Sequence, residues 1–300
     1  MTTFDLAAQA GADRDAAILS HATKGDLEIS WVPLSVGRVQ LLVTPDAVKL
    51  AGVRLNVTAT VQQQLADYFG ALLFTPKVAD LHYAARAVTI PPQTMAITSS
   101  TAGMQTESQR IDAAIAKAGG TDGIVGTVGK HWVIDNALLQ HAGMAENYGW
   151  HLPRGTKSPW QGVGIYPSVT MTAMVIQQPS WTHDPSHTDY SQQACFMHRD
   201  CTVDGKREDL ATVLQDATLG PLFGGPLKVL RQPGVPLYAC AVSAPHMIVS
   251  AAIPGSLCPT PAAPIAAPTT GWFGRNWGWV LVGAGVATAI GGAWYAESSK

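Results

Sequence analysis

What most constrains this chain is a stretch with no charge at all. Residues 277–296 (WGWVLVGAGVATAIGGAWYA) run for 20 residues without Asp, Glu, Lys or Arg, and about 20 predominantly apolar residues are what a helix needs to cross a bilayer. Trp272, Phe273, Trp277 and Trp279 stand at one end and Trp294 and Tyr295 at the other, the placing of interfacial aromatic belts. Pro254, Pro259, Pro261, Pro264 and Pro268 come before it, so residues 254–271 read as a Pro/Ala-rich linker and 272–300 as a transmembrane anchor. The competing reading is a buried core helix. Against it, residues 232–296 carry one formal charge, Arg275, too few for a soluble surface. Gly283, Ala287 and Gly291 recur every fourth residue, the small-xxx-small spacing on which membrane helices pair. The partners expected are therefore the lipid bilayer, met through 277–296, and further copies of the chain in a homo-oligomer.

Orientation follows from the flanks. The start of the chain, MTTFDLAAQAGADRDAAILS, has neither the basic nor the apolar region of a secretory signal. Arg275 lies before the span, and Glu297 and Lys300 after it. The positive-inside bias then places the body in the cytoplasm, as a single-pass, tail-anchored membrane protein.

Charged residues make up 13% of the chain, about half the usual share, which points to a well-buried or assembled body. The formal net charge is −2 with no basic run, so a nucleic-acid partner has no electrostatic footprint here. Cys195, Cys201, Cys240 and Cys258 form no CxxC pair, and a cytosolic body keeps them as thiols. A Cys195–Cys201 disulfide is the alternative if their segment folds as a hairpin.

Residues 1–24 read as an N-terminal arm or short helix, and 25–253 as the body, with a change of texture near residue 120. Strands are expected at 27–36, 39–43 and 48–57, then a helix at 61–69 closed by Gly70. Thr75-Pro76 places an N-cap before a Pro at the first helical position, which predicts a helix from 76 to about 86. Pro91-Pro92 breaks the chain, and a helix over 103–117 is stopped by Gly119-Gly120. Beyond it come a strand at 124–134, a short helix at 136–144, a loop at 152–168, strands at 170–176 and 192–197, a turn at 202–205 and a helix at 207–214. Without regular βαβ alternation this is an α+β fold, a mixed or antiparallel sheet with flanking helices, plus one C-terminal transmembrane helix.

Candidate chemistry gathers between residues 129 and 193, most densely in WTHDPSHTDYSQQ (181–193). His183 and His187 are four apart, but Pro185 between them argues against a helical HExxH-type pair. In an extended segment His187 and Asp189 share a face, and His151 or His183 completes an open three-ligand site of the kind zinc hydrolases use. His151, His183, His187 and Asp189 are thus the candidate metal ligands, with zinc the candidate cofactor. Asp184, Tyr148 and Gln192 are the candidate catalytic residues beside them, Asp184 or Asp189 serving as base. A metal-free polar pocket, or side chains that only fix turns, are the alternatives. GTVGK (126–130) lacks the spacing of a phosphate loop, and Ser191 lacks a nucleophile elbow.

The ordered pieces GKHWVIDN (129–136), ENYGWH (146–151), HDPSHTDYSQ (183–192) and VDG (203–205) resemble an uncharacterised group of bacterial and phage-encoded proteins. That resemblance spans residues 38–235 and implies no activity. A more distant similarity is to zinc peptidases of the D-Ala-D-Ala carboxypeptidase type. It rests on His183 and Asp189, which are six apart where that type has seven, and the SxHxxGxAxD signature is missing. Two functions are expected from these readings. One is a membrane-anchored structural or interaction protein of a phage or bacterial envelope assembly. The other is a metal-dependent hydrolase acting on peptide or cell-wall amide bonds.

Overall fold

The computed structural model of the chain describes residues 11–158 and 163–238. The Pro/Ala-rich linker, the 277–296 run, Cys240 and Cys258 lie outside the described residues. Among the described residues no helix is long and apolar enough to cross a membrane.

Local signals set most of the helix ends. Helix α1 (Gly11–Lys24) buries Arg14, Ile18 and Ala22, a spacing of four that puts one stripe against the body. Residues 11–24 of the expected arm are thus a helix packed on the core. Helix α2 (Ala59–Phe69) starts where Thr58 accepts a hydrogen bond from the Val61 N–H, and ends at left-handed Gly70. Helix α3 (Pro76–Ala84) is capped by Thr75 with Pro76 in its first turn, as the Thr-Pro pair predicts. Helix α4 (Thr101–Lys117) is capped by Ser100, two residues earlier than expected. Helix α5 (Leu210–Gln215) begins after Asp209, whose side chain accepts from the Ala211 N–H. The helix expected from residue 207 gives way there to a strand, Lys206–Asp209. Asp204 and Gly205 both take positive φ, and this tight turn pairs Lys206–Asp209 with Asp200–Val203 as a hairpin.

The fold is mixed α+β with antiparallel sheets and flanking helices. One sheet runs Lys206–Asp209, Asp200–Val203, Val39–Val43, Phe196–His198, Ala71–Leu73, with Val32–Val36 also paired to Val39–Val43. A second runs Tyr166–Pro167, Met174–His183, Ala145–Leu152, Lys130–Val133, every neighbouring pair antiparallel. The strand expected at 48–57 is two short strands, Lys49–Leu50 and Val53–Arg54, joined through Ala51 and Gly52 at positive φ. The expected strand at 192–197 starts only at Phe196. Val88–Thr89 and Val125–Gly126 form a short parallel pair. One hydrophobic cluster takes in residues from Ile18 to Val229, including Ile111 and Val125. That cluster draws residues from both sides of the change of texture near residue 120.

Candidate functional site

Strand Ala145–Leu152 is buried along its whole length, so its polar residues must find partners inside the protein. Alternation assigns them to faces. Asn147 pairs with Trp132 and Tyr148 with His131 across the neighbouring strand, and paired residues share a face. Trp132 and Asn147 therefore look to one side of the sheet, His131 and Tyr148 to the other.

On the Tyr148 side the centre is Asp80 of α3. Its Oδ1 accepts from Tyr148 Oη at 2.6 Å and from His151 Nε2 at 2.7 Å. Its Oδ2 accepts from the Thr170 N–H and from Thr170 Oγ1, both at 2.7 Å. Burial works to raise the Asp80 pKa, but His151 beside it and the Tyr148 and Thr170 donors win, and the carboxyl is held below its ordinary value. The ionised carboxylate can only accept, so His151 Nε2 is the donor. Tyr148 and His151 are three apart and on a regular strand would face opposite ways. Gly149 at φ 118° and Trp150 at φ 57° break the alternation and return His151 to the Tyr148 side. A bulky residue in the left-handed region is strained. The surroundings hold it: the Trp150 N–H donates to Gly129 O at 3.1 Å, and the ring meets Tyr190 edge-on. The Tyr83 ring stacks on His151 at 5.1 Å, and Tyr148 Oη also accepts from the Val169 N–H.

On the Trp132 side lie His183 and His187. Their rings stack on each other, centroids 3.8 Å apart and 6° from parallel, and both meet Trp132 edge-on at 6.5 and 6.4 Å. Burial, then His187, then Lys130 bring His183 down to about 4; burial also lowers His187. Asp189 is occupied elsewhere. Its Oδ1 accepts from the Ser191 N–H at 2.7 Å and from the Ser191 hydroxyl, and its Oδ2 from Lys130 Nζ at 3.1 Å. Burial opposes its charge, but Lys130 and the Ser191 donors outweigh this and hold its pKa low. Gln192 Oε1 accepts from the Asp189 N–H at 2.6 Å, fixing the same turn. Asp184 is exposed and caps its own turn, accepting from the Ser186 N–H at 2.7 Å.

The expected convergence of His151, His183, His187 and Asp189 on one metal is therefore corrected. The sheet itself separates His151 and Tyr148 from His183 and His187. Among the described residues no three His, Cys, Asp or Glu side chains are grouped to hold a metal ion. The stacked pair also cannot chelate as it stands. A ring nitrogen binds along its own plane at about 2 Å, and near-parallel planes 3.8 Å apart share no such point. Asp184 and Asp189 act as turn-forming carboxylates, and Gln192 braces the Asp189 turn. Cys195 and Cys201 are buried free thiols, not a disulfide.

Three buried acids went unread in the sequence as candidate residues. Asp80 and Glu107 were legible in principle, because each falls on the buried stripe of its helix, Glu107 between Met104 and Ile111. Glu107 Oε2 accepts from Asn56 Nδ2 at 3.1 Å and Gln193 Nε2 at 2.7 Å, and burial raises its pKa well above the usual value. Glu146 is fully buried, with the Asp135 carboxyl and the Trp181 indole as its polar neighbours and no well-aligned hydrogen bond to either oxygen. Burial, with Asp135 beside it, pushes it up to about 9. His82 and His131 are likewise buried, and burial brings them to about 4 and about 3. No family model, no curated protein and no solved structure matches the chain.

Proposed function

We propose that this chain is a membrane-anchored structural or interaction protein of a phage or bacterial envelope assembly, and that its polar segment 129–193 is architectural. One observation carries the reading. Of the groups that chemistry would need, Asp80 with His151 and Asp189 are hydrogen-bonded into the fold, Asp80 by four bonds and Asp189 by three, and His183 and His187 are stacked on each other. The uncharged run 277–296 and the resemblance of the ordered motifs to bacterial and phage-encoded proteins support the anchor and the setting. The alternative, a metal-dependent hydrolase acting on peptide or cell-wall amide bonds, needs His183 and His187 to unstack before they can share an ion.

Two measurements on the detergent-purified chain test this. Removal of residues 270–300 should release a folded body from membranes, because a Pro-rich linker transmits few contacts. Metal analysis should find zinc well below one ion per chain. One ion per chain that disappears in the His183→Ala/His187→Ala double variant would overturn the architectural reading.

A further inference from the structure

Helix α4 keeps its acids to the body and turns its cations outward. Glu107 is buried on Asn56 and Gln193, and Asp112 accepts from Arg54 Nη1 at 2.7 Å. Arg110, Ala113, Ala114, Lys117 and Ala118 follow at spacings of three and four, so they share one face of the helix. Between that face and the 89–93 segment runs a groove of about 560 Å³.

The groove has a cationic rim and a floor of small side chains. Ala113, Ala114 and Ala118 supply only methyl groups, which is what leaves the space. Arg110 and Lys117 are exposed, and Arg110 spends one donor on Thr94 O at 3.1 Å. Arg86 adds a third cation at the other wall, where its Nε donates to Thr89 Oγ1. Among the described residues no acid lines the groove, so its charge is left for an anionic partner.

The wall opposite α4 offers backbone as well. Val88–Thr89 pairs in parallel with Val125–Gly126, and the Val88 and Ile90 N–H groups donate to Ile124 O and Gly126 O. Thr89, between them, turns its own N–H and C=O to the opposite edge, and Thr89 lines the groove. An open strand edge is a template for an extended chain. The spacing of the cations agrees. Arg110 and Lys117 are two helical turns apart, about 10 Å along the axis. Alternate residues of an extended chain step about 7 Å on one face, so acids two or four apart reach both long side chains. A nucleic-acid strand would want aromatic rings to stack on, and the residues lining the groove include none.

We propose that this groove docks an extended acidic peptide segment of a partner protein, its carboxylates on Arg110 and Lys117 and its backbone along Thr89. The surface gives the interaction reading a partner but stands apart from it, because neither the anchor nor the zinc measurement bears on α4. The test is fluorescence anisotropy of the full chain in neutral detergent with three labelled probes: an alternating Glu-Ala decapeptide, its Gln-Ala counterpart, and an oligothymidylate of the same length. The Glu-Ala peptide should bind saturably at low ionic strength and weaken several-fold at physiological salt, since exposed charges are screened. Arg110→Glu/Lys117→Glu should weaken it by about tenfold or more. Ala113→Trp keeps every charge but fills the floor, and should abolish binding too. Ala113 is exposed, so that variant should keep the native Tm and decides the matter if the charge-reversed protein does not fold. Binding left unchanged by Ala113→Trp would reduce the groove to diffuse charge attraction and overturn the proposal. So would no saturable binding of the Glu-Ala peptide, or equal affinity for the Gln-Ala peptide or the oligothymidylate.

Discussion

Asp80 and Glu146 are both wholly buried acids serving the same strand, and they sit in opposite states. Asp80 packs against Ala145–Leu152 from α3 and receives four donors, so it stays ionised despite burial. Glu146 belongs to the strand itself, faces the Asp135 carboxyl with only the Trp181 indole to oppose it, and holds its proton up to about pH 9. Burial is common to both and acts in the same direction on both. Donors, not depth, decide which acid carries charge.

The largest effect should come from removing Asp80. Asp80→Ala leaves Tyr148, His151 and Thr170 facing a hole, and should cost about 3–5 kcal/mol in urea unfolding, the cost of breaking a buried charged network. Because the folded pKa of Asp80 is depressed, its contribution is complete above the unfolded value near 3.8 and is lost as pH falls through the folded value. The variant should therefore lose acid sensitivity as well as stability. A cost below about 1 kcal/mol would mean that the donors are equally content with water, and the comparison would collapse.

Glu146 should respond with the opposite sign. Its folded pKa is raised, so from pH 4.5 up to about 9 the unfolded chain ionises while the native one does not, and stability falls across that window. Glu146→Gln removes the penalty. It should stabilise the protein at pH 7 by on the order of 2–3 kcal/mol, with a flatter stability–pH profile by chemical denaturation. A destabilised Glu146→Gln would show that the native carboxyl has a partner after all.

The smallest effect sharpens the same point with a basic pair. His183 is neutral in the fold, so its contribution is intact above pH 6.5 and is lost as pH falls toward about 4. His187→Ala removes the stacked ring at a cost of about 1 kcal/mol and should let His183 titrate above about 4, followed by NMR of the imidazole protons. Titration unchanged at about 4 would leave burial alone as the cause, with no part for the neighbouring ring.

Helices were read best from the chain. Thr75-Pro76 and Gly70 punctuate α3 and α2 within a residue or so, because caps bond donors and carbonyls only a few positions away. His183, His187 and Asp189 lie within seven residues of one another in the chain, but that nearness does not say what each is bonded to. Missing from that reading were the bonds that neutralise Asp189, since Lys130 lies 59 residues away in sequence. His151 was assigned to the wrong group for a similar reason. Counting alternate residues along NYGWH cannot reveal that Trp150 takes a left-handed conformation and shifts the parity by one.

The amino-acid sequence by itself determined where helices start and stop, that the sheets alternate with helices without βαβ order, and which residue types are available for chemistry. These are short-range matters of capping, turn chemistry and pattern. Long-range folding alone makes Asp80 meet His151 across 71 residues, puts a sheet between His151 and His183, and sets Glu146 against the Asp135 carboxyl. Which donor reaches a buried acid depends on strand register and on one left-handed residue, and neither is encoded within the few positions over which local signals act.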